Sequence, residues 1–216
     1  MLFKKTARFS QLNKTGLSND HFTFHINELV KSGLVQKLPG RGYTLTTLGK
    51  EFANRFDTEN KSVERQAKIA ALIVCTKKEN GEIKYLLQQR LKQPYFGFYG
   101  FIGGKIRWGE TIYEAAKREL QEETGLLGKI KLAGLEHKID YSQTNELLED
   151  KFFYVFQVEK TRGKLIEKFN GGKNCWFTKK EIFSLENLFG DVDKIIKMVN
   201  RKSLLFSELK YKVKKY

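Results

Sequence analysis

Cysteine and long apolar runs are scarce in this sequence, and each scarcity removes a class of protein. Two cysteines in 216 residues, Cys75 and Cys175, cannot build a disulfide framework. With Cys75 inside an apolar, strand-like run, two buried free thiols in a cytoplasmic protein are expected. The longest strictly apolar run, residues 69–75, is seven residues long, whereas a helix needs about 20 to cross a bilayer. No membrane partner is therefore expected. Met1-Leu2-Phe3-Lys4-Lys5 leads into polar sequence without the apolar stretch of a signal peptide. Internal repeats and low-complexity tracts are missing too. Acidic residues are outnumbered, 25 Asp+Glu against 40 Lys+Arg, for a net charge of +15. That balance favours polyanionic partners such as nucleic acid, or phosphate-rich small molecules.

What is present is globular material: 40% hydrophobic, 30% charged, 17 Phe. The length suits one ordinary domain plus a small one. The basic excess is spread out. Residues 1–65 hold 11 basic and 6 acidic residues, and residues 201–216 hold six basic residues against Glu208. The polar stretch 57–66 reads as a linker with a helical end. The expected division is residues 1–60, residues 61–203 and a basic C-terminal tail, 204–216.

In the first block, Thr15-Gly16 reads as a turn and Ser18 as an N-cap. Phe22, Ile26, Leu29 and Val30 recur on one face of a helix that Gly33 closes. Residues 34–38 and 43–46 read as short strands around the Pro39-Gly40-Arg41-Gly42 turn, followed by a helix over 48–56. This order, with its Leu29-Val-Lys-Ser-Gly-Leu-Val35 and Gly42-Tyr-Thr-Leu-Thr46 strings, resembles bacterial winged-helix transcription regulators. Only eight residues precede Phe9, so the usual first helix is truncated or absent. The resemblance implies that Asn19, Thr23, Asn27 and Lys31 on the recognition helix, and Arg41 at the wing tip, are available to DNA. A non-DNA role, such as homodimer formation, is the alternative.

The second block opens with residues 67–76, a strand buried on both faces, which turns at Asn80-Gly81 into a partner over 83–89. A helix runs from about Thr111, where Thr111 and Glu114 spell a capping box, to Gly125. Further strands are expected over 129–138, 151–159 and 175–177. A capping box at Thr178 and Glu181 and a closing helix over 191–201 complete an α/β pattern.

Residues 104–126 read Gly-x5-Glu-x7-Arg-Glu-Leu-x-Glu-Glu-x-Gly-Leu. At about 100° per residue, Glu119, Glu122 and Glu123 fall at about 0°, −60° and +40°, on one helix face. Three carboxylates so close repel one another and call for positive charge. Arg118 pairs with one, and a hard divalent cation, which takes oxygen ligands and substrate phosphates, balances the rest. Ala115 and Ala116 on the same side let another backbone approach closely.

This motif is similar to the Nudix box at each of its defined positions. The resemblance implies a Nudix α/β/α sandwich with a small N-terminal winged-helix domain. It also implies Mg²⁺- or Mn²⁺-dependent hydrolysis of a pyrophosphate bond in a nucleoside diphosphate linked to another moiety. By that resemblance Glu119 and Glu123 are the main metal ligands with the Gly104 carbonyl, Glu122 is a further ligand or positions a water, Arg118 orients a glutamate, and Glu110 and Gly125 are structural. The family's base is a box glutamate or one on a loop about 40 residues later, which points to Glu119, Glu122 or Glu167. Tyr141, Phe98 and Trp108 are candidates to stack on a nucleobase. Tyr141 stands where members acting on dinucleoside polyphosphates carry a tyrosine. ADP-ribose hydrolases tend to have a proline near there, and this chain has only Pro39 and Pro94. The two-domain combination resembles repressors of NAD metabolism, in which the winged helix follows the Nudix domain. A nucleotide-sensing regulator is therefore one alternative, and an RNA 5′-end pyrophosphohydrolase, suited to the +15 charge, is another. His21, His25 and His137 do not cluster at ligand spacing.

Overall fold

Short apolar segments set off by glycine give the first part of the chain small elements around a small core. The computed structural model describes residues 3–14 and 16–216; the turn expected at Thr15-Gly16 thus lies partly outside the described residues. Contacts divide the chain into residues 1–65 and 66–216. The first unit holds α1 (Phe9–Leu12), α2 (Asn19–Lys31), the antiparallel pair β1 (Val35–Leu38) and β2 (Gly42–Leu45), α3 (Thr47–Asn54), and a short ladder of β3 (Phe56–Asp57) with β4 (Ser62–Val63). The Ser18 hydroxyl accepts the His21 amide at 3.3 Å and caps α2. Gly33 leaves it with φ +72°, as a glycine at C′ does. Ile26, Val35 and Tyr43 form the core, with Phe9, Phe22 and Leu34 packed against it. Leu29 and Val30, expected on the same buried face, stay 40% and 36% exposed, because this core covers little more than one turn of α2.

The expected linker is instead the β3–β4 ladder. Asp57 organises its turn, accepting the amides of Glu59 at 2.8 Å and Asn60 at 3.1 Å. The Asn60 side-chain amide, donating at 2.6 Å, and then these backbone amides hold its carboxyl below the usual range.

The second unit follows with β5 (Lys68–Glu79), β6 (Glu82–Arg90), β7 (Tyr99–Gly100), β8 (Ile102–Lys105), α4 (Ile112–Thr124), β9 (Leu127–Tyr141) and β10 (Leu147–Arg162). After these come β11 (Lys168–Phe169), β12 (Gly172–Thr178), α5 (Lys179–Phe183), α6 (Val192–Val199) and β13 (Leu205–Lys212). Nine strands make one mixed sheet in the order β11-β12-β6-β5-β10-β9-β13, with β7 beside β6 and β8 beside β5. Asn80 and Gly81, both at positive φ, turn β5 into β6.

Alternation along β5 sets the layers. Leu72 and Val74 face a core with Val192, Ile195 and Ile196 of α6. Ala71, Ile73 and Cys75 face the opposite core, with Ala115, Ala116 and Leu120 of α4. Helices thus cover both faces of a mixed sheet, an α/β sandwich, and each large side chain buried there contributes about 1.5–3 kcal/mol. β5 divides its edge between two partners: residues 70–73 pair with β8, residues 76–79 with β6.

Three further expectations change. Ile69, at the start of the strand thought buried on both faces, is 52% exposed. Cys175 is exposed, since Asn174 takes the inward position beside it on β12. The segment expected as a basic tail contains β13, which runs parallel to β9 from Leu205↔Gly134 to Lys212↔Tyr141. Its alternating pattern of half-buried and exposed residues is that of a sheet-edge strand, with the lysines as edge protection. No helix among the described residues is long and apolar enough to cross a membrane.

Candidate active site

The site begins with a turn that glycine makes possible. Gly109 (φ +82°) bends the chain after β8, and Thr111 and Glu114 close a capping box at the start of α4. Gly125 ends α4 at φ +70°; a Cβ there would lie 2.6 Å from the Lys164 carbonyl. Glycine is needed at Gly125 on both counts.

Arg118, on α4, uses all five of its N–H donors. Nε and Nη2 grip the two oxygens of Glu110 at 2.7 and 2.9 Å. Nη1 reaches Glu119 at 2.5 Å and Glu122 at 3.3 Å, and Nη2 also donates to the Lys105 carbonyl at 3.1 Å. This fork is the geometry a guanidinium offers a carboxylate. The Arg118 bond, with the Arg107 amide, holds the Glu110 carboxyl down at about 2.

Glu119 and Glu123 both line a cleft of about 610 Å³, together with Gly103 and Gly104. A Cβ at Gly104 would run into the Glu119 carboxylate, so only glycine lets that side chain lie against β8. Glu123 accepts from Gln88 Nε2 at 3.0 Å. Burial pushes the Glu123 carboxyl up and the Glu119 charge adds to this, against the Gln88 bond and the cations Lys92 and Arg90. Asn174, 3% exposed, ties the end of α4 in place, donating to the Glu123 carbonyl at 2.7 Å and the Ile166 carbonyl at 2.8 Å.

Glu122 departs from the expected trio. Its side chain is 52% exposed, held outside by Arg107 and Arg118 at 3.3 Å each. Among the described residues no three of His, Cys, Asp and Glu converge as a closed metal cage. Two carboxylates facing one cleft nevertheless suit a Mg²⁺-type ion that takes its other ligands from substrate and water.

The remaining expected positions scatter. Glu167 is exposed and does not line the cleft. Trp108 is 90% exposed. Tyr141 is half-buried outside the cleft, with Lys210 Nζ 6.0 Å from its ring centroid. Phe98 packs behind the cleft wall on Tyr95 and Phe189, at 5.5 and 5.2 Å. Asn19, Thr23, Asn27, Lys31 and Arg41 are all exposed on the first unit, with Lys31 paired to Glu28 at 2.8 Å.

The cleft also gathers residues not singled out in the sequence. Arg90, Lys92, Lys105, Arg107 and Lys68 line it, as do Glu149 and Lys151 of β10. Glu149 is 5% exposed. Burial alone would raise its pKa, but Lys68 at 2.6 Å, Lys151 at 3.5 Å and the Tyr216 hydroxyl at 2.9 Å bring it below the usual range. Lys138, Asp140 and Asp191 form a further buried group on the same cleft. The signal for these was faint: charged residues inside otherwise apolar strands.

Residues 66–199 match the sequence model of the NUDIX domain. A relative from Methanocaldococcus jannaschii, an ADP-ribose pyrophosphatase, is 27% identical over 164 residues, covering 74% of this chain and 91% of its own. An 8-oxo-dGTP diphosphatase from Proteus vulgaris is 40% identical over 63 residues, 29% of this chain and 54% of its own. Among solved structures, the MutT protein of Bacillus halodurans superposes with a TM-score of 0.56 at 24% identity, covering 67% of this chain and 90% of that one. The NUDIX domain of Shewanella oneidensis NrtR, crystallised with ADP ribose, gives 0.54 at 16% identity, covering 71% and 96%.

Proposed function

This chain belongs to the NUDIX family as a pyrophosphohydrolase, and from that premise we propose that its second unit cleaves the diphosphate bond of a nucleoside diphosphate derivative with Mg²⁺ or Mn²⁺. The observation that carries the reading is the pair Glu119 and Glu123 on one cleft lined by seven lysines and arginines. Glu119, Glu123 and Gly104 would hold the ion. When bound, it would neutralise diphosphate oxygens and favour attack by water at phosphorus. Arg90, Lys92, Lys105, Arg107 and Lys68 supply fixed positive charge for the same oxygens. Arg118 and Glu110 position Glu119. Glu149, held ionised by its lysines, fixes Lys68 and Lys151 and is poorly suited to take a proton near neutral pH.

The test is a hydrolysis panel with Mg²⁺ or Mn²⁺: ADP-ribose, dinucleoside polyphosphates, nucleotide sugars, 8-oxo-dGTP and 5′-triphosphate RNA. Turnover of a diphosphate-linked nucleotide is expected, with Glu123→Gln at least about a hundredfold slower. No turnover of any member, or an unchanged rate in Glu123→Gln, overturns the reading.

A second reading concerns the first unit. The exposure of Asn19, Thr23, Asn27 and Lys31 along one helix, with Arg41 exposed in the β1–β2 turn, supports a winged-helix surface for duplex DNA. Binding should weaken steeply with salt and drop on joint Lys31→Ala and Arg41→Ala replacement. No shift of a DNA duplex at low salt removes it.

A further inference from the structure

The residues after β13 cross from the sheet edge to the cleft wall. The Val213 amide donates to the Tyr141 carbonyl at 2.9 Å, and Gln143 Nε2 donates to the Val213 carbonyl at 3.0 Å. The chain thus passes along the turn that joins β9 to β10 and brings Tyr216 to the start of β10. There the Tyr216 hydroxyl donates to Glu149 Oε1 at 2.9 Å, with the Leu148 carbonyl further off at 3.4 Å. Its ring stands edge-on to Tyr95, with centroids 5.0 Å apart. Glu149 and Tyr95 are buried and line the cleft, whereas Tyr216 does not line it and is 50% exposed. A second contact pins β13 to the same hairpin: His137 of β9 bonds Glu208 of β13 at 2.7 Å and Asp150 of β10 at 2.9 Å.

We infer that Tyr216 is a positioning residue of the cleft, which acts through Glu149 to set Lys68 and Lys151 for an anionic oxygen of the ligand. The inference rests on reading the cleft as a site for phosphates. The two oxygens of Glu149 are divided between different donors: Oε2 takes Lys68 at 2.6 Å and Lys151 at 3.5 Å, and Oε1 takes the Tyr216 hydroxyl. Each ammonium has three N–H donors, so sharing one carboxylate oxygen leaves donors on both lysines for a ligand. Both lysines line the cleft. Without the hydroxyl, Oε1 is an acceptor on a buried carboxylate that has lost its donor, which is unfavourable until the group moves. The cations on Glu149 are the two ammoniums, and a carboxylate that turns Oε1 towards one of them draws its charge away from the ligand. Groups fixed in place before the ligand arrives bind it more tightly than groups that must be reordered. The Tyr216 ring, packed on Tyr95, holds the hydroxyl at this point on the wall.

The experiment is calorimetric titration of the full chain with inorganic pyrophosphate, without metal and at low salt. Tyr216→Phe keeps the ring on Tyr95 and removes only the hydroxyl, and thermal melts check that it is folded. It should weaken pyrophosphate binding at least about fivefold, within what one hydrogen bond to a charged group allows. A double-mutant cycle tests the route. In a Glu149→Gln background the same replacement should change binding by less than about twofold. If Glu149→Gln does not fold, Lys68→Met, at an exposed site, takes its place, and the hydroxyl should then matter less than in the unaltered protein. With a substrate from the hydrolysis panel, Tyr216→Phe should raise KM by a similar factor and leave kcat within about twofold. Unchanged pyrophosphate affinity in folded Tyr216→Phe, an equal loss in both backgrounds, a fall in kcat at constant KM, or no binding by the unaltered protein overturns the inference. The titration needs no turnover: a chain that hydrolyses nothing but shows the expected cycle sinks the pyrophosphohydrolase reading and leaves this one standing.

Discussion

Arg118 and Glu110 are joined by two parallel hydrogen bonds of 2.7 and 2.9 Å, with both side chains 14% exposed. The pair couples the loop before α4 to the helix, and the same guanidinium steadies Glu119. A lysine keeps the charge but not the fork. Arg118→Lys should therefore reduce kcat by about 10–100-fold, the range seen when an orienting partner of a ligand is lost, with a smaller change in KM. The pH dependence has a definite sign. The Glu110 carboxyl is held down to about 2, so its stabilising contribution is full above the unfolded value of about 4.5 and disappears as pH falls towards 2. Thermal melts between those values should show a shallower acid-side loss in Glu110→Gln than in the unaltered protein.

A Cβ at Gly104 would collide with the Glu119 carboxylate. Gly104→Ala must displace the carboxylate. Activity should drop at least about tenfold, while circular dichroism and melting temperature change little, because the displaced group faces the cleft. Full activity in the variant would show that Glu119 does not need its present position.

Glu136 is fully buried on β9. Burial first, and then the Asp191 charge, push its carboxyl up to about 8. Between pH about 4.5 and 8 the folded chain keeps a proton that the unfolded chain has lost, so stability declines as pH rises across that window. Glu136→Gln should match the unaltered protein in melting temperature near pH about 5 and exceed it by several degrees near pH about 9. A constant offset at both pH values would contradict the assignment.

Asn174 satisfies two carbonyls, those of Glu123 and Ile166, from a buried position on β12. Asn174→Ala leaves both unmet, at a cost of about 2–4 kcal/mol, and frees the end of α4. Urea denaturation should register the loss, and kcat should fall as Glu123 loses its anchor. A variant equally stable and active would mean that other groups or water take over both carbonyls.

How much of this was legible in the sequence varies by residue. The α4 helix was, because a capping box, a C-terminal glycine and a fixed carboxylate spacing are local signals. Helix geometry placed Glu122 beside Glu119 and Glu123, but could not show that Arg107 and Arg118 would draw it outward; that depends on a loop folding back. Asn174 and Gln88 were not legible because their partners lie 51 and 35 residues away. Lys138 and Asp191 share a cleft only because β9 and the start of α6 meet in space. β13 carried an alternating pattern, but its lysines made it read as a tail.

The double partnership of β5 has a consequence in time. On one edge it pairs with β10 from Lys68 to Cys75, and on the other with β8 and then β6. Its amides can meet deuterium only when the sheet itself opens. β13, held on one edge by β9 alone, frays far more readily. In heavy water the unit should fill with label from its rim inward, the strand beneath the cleft last, so the slowest clock in the molecule runs directly under its chemistry.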